Sequence, residues 1–295
     1  MNGKGMQTMR TSEEIFRLIL DVAREDDRIR AVVLSGSRAD PEVPRDRYQD
    51  YDILFLVREV APFYNNTAWI ETTFGRPAVM QMPEVMTHPL LPPDGDGHFT
   101  YLMLFEDGNR IDLSIDNRPY IDDGEPAVVL LDKDGLLPKL RPRKEYWHIQ
   151  PPDRSVYRDC CNEFWWCLNN VAKGIARDEL PYAMEMFQKY VRDMLNEMVR
   201  WAIGVRTGFT VSAGKCGKYF KRYLPESQYR LYAQTYASGD YTSLWAAVFT
   251  ACELFRLTAG EVGAYFAFAY DEREDQNMTA YLLAVKTQWE QAGTP

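Results

Sequence analysis

The sequence predicts an α/β N-terminal part, with a mixed sheet flanked by helices, followed by an all-α C-terminal part. Three observations predict this division. Short apolar runs and alternating segments, which are typical of strands, continue up to Leu131. Over residues 138–153 the composition shifts to proline and basic residues, as in many domain boundaries. After Ser155 helical spacing dominates. We therefore expect domains at 1–140 and 141–295.

The N-terminal part is expected to begin with a helix over residues 12–24. Thr11 and Glu14 are spaced as a capping box, and apolar residues follow at helical intervals, namely Ile15, Leu18, Ile19 and Val22. Residues 106–109 read Glu-Asp-Gly-Asn, which is typical of a hairpin turn. Alternation and apolar runs predict one further helix at 60–73 and strands at 31–35, 51–57, 78–82, 99–106, 110–116 and 128–131, the last at an edge.

The C-terminal part is expected to be a set of helices without an internal repeat. Pro181 suits the first position of a helix, whereas Gly204, Gly208 and Gly214 indicate loops. Helical spacing predicts helices at 155–178, 181–204, 216–223, 226–237, 240–258, 260–270 and 272–290.

Composition excludes several classes of protein. The net charge of −9 disfavours a polynucleotide partner; it suits a cationic small molecule, but on charge alone solubility is the preferred explanation. The five cysteines are odd in number and lack a Cys-x-x-Cys motif, which argues against a disulfide framework or a zinc site. No apolar run is long enough to span a bilayer, and no signal peptide is recognisable, so we expect no membrane partner and a cytoplasmic location.

The chemistry-bearing residues begin with Gly36-Ser37-Arg38 and the Asp50-Tyr51-Asp52 segment that follows. Because side chains alternate along a strand, Asp50 and Asp52 should point to one side. Two carboxylates on one face form a hard oxygen site suited to Mg²⁺. A Gly36-Ser37 turn lets the backbone approach a phosphate closely, and Arg38 either adds a charged fork or pairs with a nearby aspartate.

A third carboxylate is expected from the strand Arg110–Asp116, which alternates strictly. Its isoleucines and leucine should face the core, so Arg110, Asp112, Ser114 and Asp116 should share the other face. Asp112 is the candidate third acid, as general base or metal ligand; Asp116 is a weaker candidate. The alternative is an exposed polar face without a function.

A basic turn follows in the C-terminal part. The segment from Gly208 to Cys216 resembles a Walker A loop but fails, because five residues separate Gly208 from Gly214 and Cys216 replaces Ser or Thr. Lys215 and Lys218 stand three residues apart at an expected helix start, where both can reach a phosphate tail. The alternative is a solvated basic turn.

The expected helix at 155–178 carries acids beside tryptophans. Asp159, Glu163 and Trp166 lie near one another at helical spacing. Such a group can bind a cationic ligand by charge and cation–π contact. Alternatively the tryptophans belong to the core and the acids form salt bridges within the helix.

The chain resembles the aminoglycoside 6-adenylyltransferase (streptomycin adenylyltransferase) family, over roughly Met9 to Trp289. The Gly-Ser and Asp-x-Asp elements are similar to the active-site signature of the wider nucleotidyltransferase superfamily. The narrower resemblance rests on motifs in both halves of the chain: Met9-Arg10-Thr11, Ser35-Gly36-Ser37-Arg38, Asp50-Tyr51-Asp52, Arg110-Ile111-Asp112-Leu113, Glu163-Phe164-Trp165-Trp166, Lys173-Gly174 and Gly214-Lys215-Cys216-Gly217-Lys218-Tyr219.

The resemblance implies transfer of AMP from ATP to a streptomycin hydroxyl, with Mg²⁺ as cofactor, release of pyrophosphate and antibiotic resistance. It also implies a nucleotidyltransferase domain followed by a helical substrate-binding domain, with the substrate held between them. Three sets of residues then receive roles: catalysis and metal binding by Asp50, Asp52 and Asp112; nucleotide binding by Gly36, Ser37, Arg38, Lys215 and Lys218; and acceptor binding by Asp159, Glu163 and Trp166.

Two other functions compete with this one. A nucleotidyltransferase could use a different small-molecule or protein acceptor, in which case streptomycin would stay unmodified. A binding module could hold nucleotide or drug without chemistry, but the intact carboxylate set argues against it. The sequence does not define the oligomeric state or the regulation.

Overall fold

The computed structural model describes residues 8–88, 90, 97–135, 137–141 and 143–293. The chain divides after Tyr146 into two compact units, here called the N-terminal and C-terminal units. Each unit is built around its own cluster of buried apolar side chains. Within the described ranges, no helix is both long enough and apolar enough to cross a membrane.

The N-terminal unit contains a six-stranded mixed sheet, which confirms the predicted fold class. Its strands are β1 (Ile29–Ser35), β2 (Tyr51–Val57), β3 (Pro77–Gln81), β4 (Phe99–Phe105), β5 (Arg110–Asp116) and β6 (Val128–Asp132). Their order is β3-β4-β5-β2-β1-β6, so β6 is the edge strand that the sequence predicts. The central neighbours β2 and β5 run parallel, whereas the other paired strands run antiparallel.

Helices of the N-terminal unit pack beside this sheet. They are α1 (Ser12–Glu25), α2 (Gly36–Ala39), α3 (Ala61–Tyr64) and α4 (Ala68–Phe74). The capping box of α1 is present, with Thr11 and Glu14 bonded reciprocally. The single helix predicted at 60–73 is wrong, because Asn65, Asn66 and Thr67 separate α3 from α4. Asparagine side chains compete with helical hydrogen bonds, and the Asn66 side chain accepts from the Ala68 N–H.

The C-terminal unit is helical throughout, as predicted. Its helices are α5 (Arg154–Ala176), α6 (Leu180–Glu185), a π-helical segment (Met186–Val191), α7 (Arg192–Thr207), α8 (Phe220–Tyr223), α9 (Glu226–Gln234), α10 (Tyr241–Phe266) and α11 (Glu272–Gln291). The break predicted between 258 and 260 is wrong, because α10 passes through Gly260. Burial of Phe255, Ala259 and Val262 around that position outweighs the cost of about 1 kcal/mol for a helical glycine.

Aromatic rings and buried thiols fill the core of the C-terminal unit. Phe164 of α5 stacks on Phe255 of α10 with the ring centroids 3.7 Å apart, and Trp165 lies edge-on to Phe164. All five cysteines are free, and each except Cys216 is buried. Burial raises the pKa of the Cys252 thiol to about 12, so that side chain behaves as an apolar group.

Candidate active site

The turn after β1 brings backbone close to a carboxylate. β1 ends at Ser35, which lies opposite Asp52 of β2 in the ladder. Gly36 then adopts a φ of +67°, in the left-handed region that favours glycine. A Cβ at this position would lie 2.1 Å from Asp52 Oδ2, far inside contact distance. Only glycine therefore allows the chain to turn here with the Asp52 side chain in place.

The parallel pairing of β2 and β5 places two aspartates side by side. Asp52 and Asp112 are partners in the ladder, as are Tyr51 and Ile111. Register partners point to the same face of a sheet, so the two carboxylates share one face. Tyr51 and Ile111 are buried on the other. Asp50 precedes β2, and its carboxylate lies 3.7 Å from the Arg110 guanidinium.

Burial and mutual repulsion act on these carboxylates. Burial, followed by the charges of Asp112 and Asp50, raises the pKa of Asp52 to about 6. Burial also raises the pKa of Asp50, and Arg110 opposes that shift. Like charges on partly buried groups disfavour ionisation of each. A cation placed among these carboxylates would relieve this repulsion.

Arg110 is a residue of this site to which the sequence argument gives no role. Its Nε and Nη2 donate to the two carboxylate oxygens of Asp112 at 2.8 and 2.7 Å. This bidentate pair raises the pKa of Arg110. The signal available in the sequence is the alternation of β5, which puts Arg110 and Asp112 on one face.

The donor set has the chemistry of a magnesium site, because three carboxylates supply hard oxygen ligands from one region of the sheet. Among the described residues, however, the structure shows no group of three acidic, histidine or cysteine side chains arranged to hold a metal ion. The Asp112 carboxylate is instead occupied by Arg110. The donor atoms of these residues therefore suit the cation, and one of the three carboxylates is paired with an arginine.

Ser37 and Arg38 follow Gly36 in α2. The Ser37 carbonyl accepts from the Gln49 side chain at 3.2 Å. The Arg38 guanidinium donates to the Gln49 and Asp50 carbonyls and lies 3.8 Å over the Tyr51 ring. Arg38 thus anchors the segment that leads into β2.

The basic turn of the C-terminal unit differs from the predicted helix at 216–223. Lys215–Gly217 form a 3₁₀ turn, and α8 begins only at Phe220. Cys216 and Gly217 have φ values of 55° and 73°, which are incompatible with a helix. Lys218 lines a pocket of about 290 Å³ that also includes Lys221, Tyr229 and Tyr236. Lys215 and Lys218 are both exposed.

The predicted acceptor-binding residues are spaced along α5, where Asp159 and Trp166 are exposed and Glu163 is half-buried. Trp166 is 64% exposed, whereas the adjacent Trp165 is buried in the core. Asp159 pairs with Arg158 at 2.8 Å, and Glu163 accepts from the Cys167 thiol at 3.1 Å. The core interpretation of the tryptophans therefore applies to Trp165 and not to Trp166.

Comparisons with known proteins extend over nearly the whole chain. The family described as streptomycin adenylyltransferase matches residues 9–285. An aminoglycoside 6-adenylyltransferase of Bacillus subtilis (strain 168) is 38% identical over 280 residues, covering 92% of this chain and 97% of that protein. One of Campylobacter jejuni is 34% identical over 286 residues, covering 95% and 98%. The crystal structure of an aminoglycoside 6-adenyltransferase from Bacillus subtilis aligns with a TM-score of 0.47 at 35% identity, covering 94% of this chain and 99% of that one.

Proposed function

Because the chain belongs to the streptomycin adenylyltransferase family, as its motifs predict, we propose that it transfers AMP from ATP to an aminoglycoside hydroxyl. The expected acceptor is the 6-hydroxyl of streptomycin, with release of pyrophosphate and antibiotic resistance as the outcome. One observation carries the proposal at the level of the site. Asp52 and Asp112 are register partners beside a turn that only Gly36 can make.

The aspartates receive the roles that nucleotidyl transfer requires. Asp50 and Asp52, with Asp112 as the third candidate, would hold Mg²⁺, whose charge offsets that of the triphosphate. Burial, followed by repulsion from Asp112 and Asp50, raises the pKa of Asp52 to about 6, and the repulsive part supports a cation at this position. A bound cation would thus reduce the repulsion among the three carboxylates.

The Asp112 carboxylate could serve through its oxygens either as a general base or as a metal ligand. As general base it accepts the proton of the acceptor hydroxyl while that oxygen bonds to the α-phosphorus and the bond to pyrophosphate breaks. As a metal ligand it contributes only charge and position. A variant with Asn at 112 separates the two roles: loss of a base removes the acidic limb of the pH–rate profile, whereas loss of a ligand raises the Mg²⁺ requirement.

The remaining predicted site residues form three sets, of which two would bind the nucleotide and one the acceptor. Gly36, Ser37 and Arg38 would approach the nucleotide from the β1–α2 turn, with Arg38 acting through its hold on the Asp50 backbone. Lys215 and Lys218, which lie in the basic turn, would bind the phosphates of the nucleotide. Asp159, Glu163 and Trp166 would bind the cationic acceptor. An exposed Asp159 and a half-buried Glu163 beside an exposed indole suit such a ligand, as does the net charge of −9.

The decisive experiment measures pyrophosphate release with ATP, Mg²⁺ and a panel of aminoglycosides. We expect release with streptomycin, and a loss of at least about 10³-fold in Asp50→Asn, because a metal-binding carboxylate is removed. Asp46→Asn is the matched control, since Asp46 is an exposed acid in the segment before β2. Full activity in Asp50→Asn would contradict the ligand assignment. If no aminoglycoside gives pyrophosphate release although the protein binds ATP, the acceptor is a different molecule.

A further inference from the structure

We propose that Arg110 is an internal counter-ion of the aspartate cluster, which a divalent cation must displace from Asp112 before the cation site is complete. Arg110 would then be a positioning residue of the reaction. The inference rests on the proposed function in one respect, namely that Asp50, Asp52 and Asp112 form the cation site.

The first argument is the geometry of the pair. Arg110 covers both oxygens of Asp112 with its Nε and Nη2, at 2.8 and 2.7 Å, while its Nη1 reaches within 3.7 Å of Asp50. This fork occupies one lone pair on each oxygen of Asp112, so a metal ion that binds Asp112 competes with Arg110 for the same carboxylate. The strand register brings Asp112 beside Asp52, so Arg110 holds a carboxylate that belongs to the aspartate cluster.

The second argument is the difference between Arg110 and Arg38, the two cations whose charges act on Asp50 and Asp52. Arg38 is committed to backbone carbonyls and to the Tyr51 ring, so its displacement would disturb the start of β2. The Arg110 side chain is 46% exposed, and the contacts that the structure shows for its guanidinium are with the aspartates. It can leave Asp112 without breaking other structure.

The third argument concerns what the released guanidinium would do. Arg110 stands at the start of β5, next to the carboxylates that would hold the cation. A planar guanidinium matches phosphate oxygens as well as it matches a carboxylate. After the exchange each negative group still has a positive partner. The cation binds the Asp112 carboxylate, and the Arg110 guanidinium can bind the triphosphate that arrives with the cation.

The test is a titration with Mn²⁺ in the absence of nucleotide and acceptor, read by calorimetry and by the electron spin resonance of free Mn²⁺. We expect Arg110→Gln to bind Mn²⁺ about fivefold or more tightly than the unmodified protein, since the metal no longer competes with a bidentate ion pair. Arg110→Lys, which keeps the charge but loses the fork, should lie between the two.

Arg118→Gln is the matched control. Arg118 also pairs with an aspartate two residues away, through Nε and Nη2 to Asp116, and its side chain is 51% exposed. Arg118 lies just after the last residue of β5, whereas Arg110 is the first residue of that strand. Arg118→Gln therefore removes one positive charge at a distance from Asp50 and Asp52. Its Mn²⁺ affinity should match that of the unmodified protein.

The outcomes separate this inference from the proposed function. Equal or weaker Mn²⁺ binding in Arg110→Gln, with binding still lost in Asp52→Asn, overturns the counter-ion role and leaves the metal site intact. An unchanged affinity in Asp52→Asn overturns both. Should Arg110→Gln fail to fold, Arg110→Lys decides alone: tighter binding than the unmodified protein supports the exchange, and unchanged binding refutes it.

Discussion

The two units each contain a bidentate arginine–aspartate pair, and the two pairs differ in what else surrounds the carboxylate. Asp275 in α11 is held by Arg256 and by the hydroxyls of Tyr270 and Thr279. Burial opposes its ionisation, but these donors lower its pKa. Asp112 has the same arginine fork and lies beside Asp52. A carboxylate surrounded by donors maintains the fold, whereas one crowded by other carboxylates is available for chemistry.

The sharpest contrast between the pairs comes from replacing each aspartate with asparagine. We expect Asp275→Asn to lower the free energy of unfolding by about 3 kcal/mol, because the buried carboxylate loses its charge-assisted hydrogen bonds from Arg256, Tyr270 and Thr279. Asp112→Asn should change stability by less than about 1 kcal/mol, since repulsion from Asp52 offsets the lost pair, yet lower the rate of AMP transfer by about 10²-fold or more. Urea unfolding and pyrophosphate release on both variants check this. Equal destabilisation would show that both pairs are structural.

Glycine replacements extend the comparison from side chains to backbone. Gly36→Ala should cost about 2 kcal/mol of stability, from strain at positive φ and from the clash with Asp52, and most of the activity. Gly208→Ala is the matched control in the other unit: its φ is +64°, but a Cβ there meets nothing within 4 Å. It should cost about 1 kcal/mol with full activity. Both values follow from thermal or urea unfolding, and equal losses would exclude a special role for the Asp52 contact.

The pH dependence of stability provides the smallest and most specific test. The folded-state pKa of Asp52 is raised to about 6 from an ordinary 3.8, so the folded protein binds more protons than the unfolded one between these values. Stability attributable to Asp52 is therefore lost as the pH rises through this window. In metal-free buffer Asp52→Asn should gain about 1 kcal/mol relative to the unmodified protein between pH 4 and pH 7.5, after allowance for solvent screening. A constant difference across the range would contradict the raised pKa.

Local patterns in the sequence predict much of the fold because strand alternation and helix capping act over a few residues. The bounds of β2 and β5, and the cap of α1 at Thr11, follow directly from such patterns. Failures occur where the tertiary environment decides. Gly260 stays helical because neighbours in α10 are buried, and the turn at Cys216 depends on backbone angles that the residue types alone do not reveal.

The site shows the same limit. Asp50, Asp52 and Asp112 can be chosen from sequence because acids at alternate positions share a strand face. The register that sets Asp52 against Asp112 joins strands far apart in the chain. The partners of Arg38 come from α1 and from the segment before β2. Such long-range neighbours are a property of the folded chain, which is why the roles of Arg38 and Arg110 become visible only in the structure.

Cys216 gives the protein a built-in attachment point for a reporter. It is the exposed one of the five free cysteines, and the other thiols are inside the C-terminal unit, where burial suppresses the reactive thiolate. A maleimide dye should therefore label a single position without any engineered cysteine. That position lines the pocket shared by Lys218 and Tyr236, so the fluorescence of the dye would report, in real time, whether a phosphate-bearing ligand reaches the basic turn.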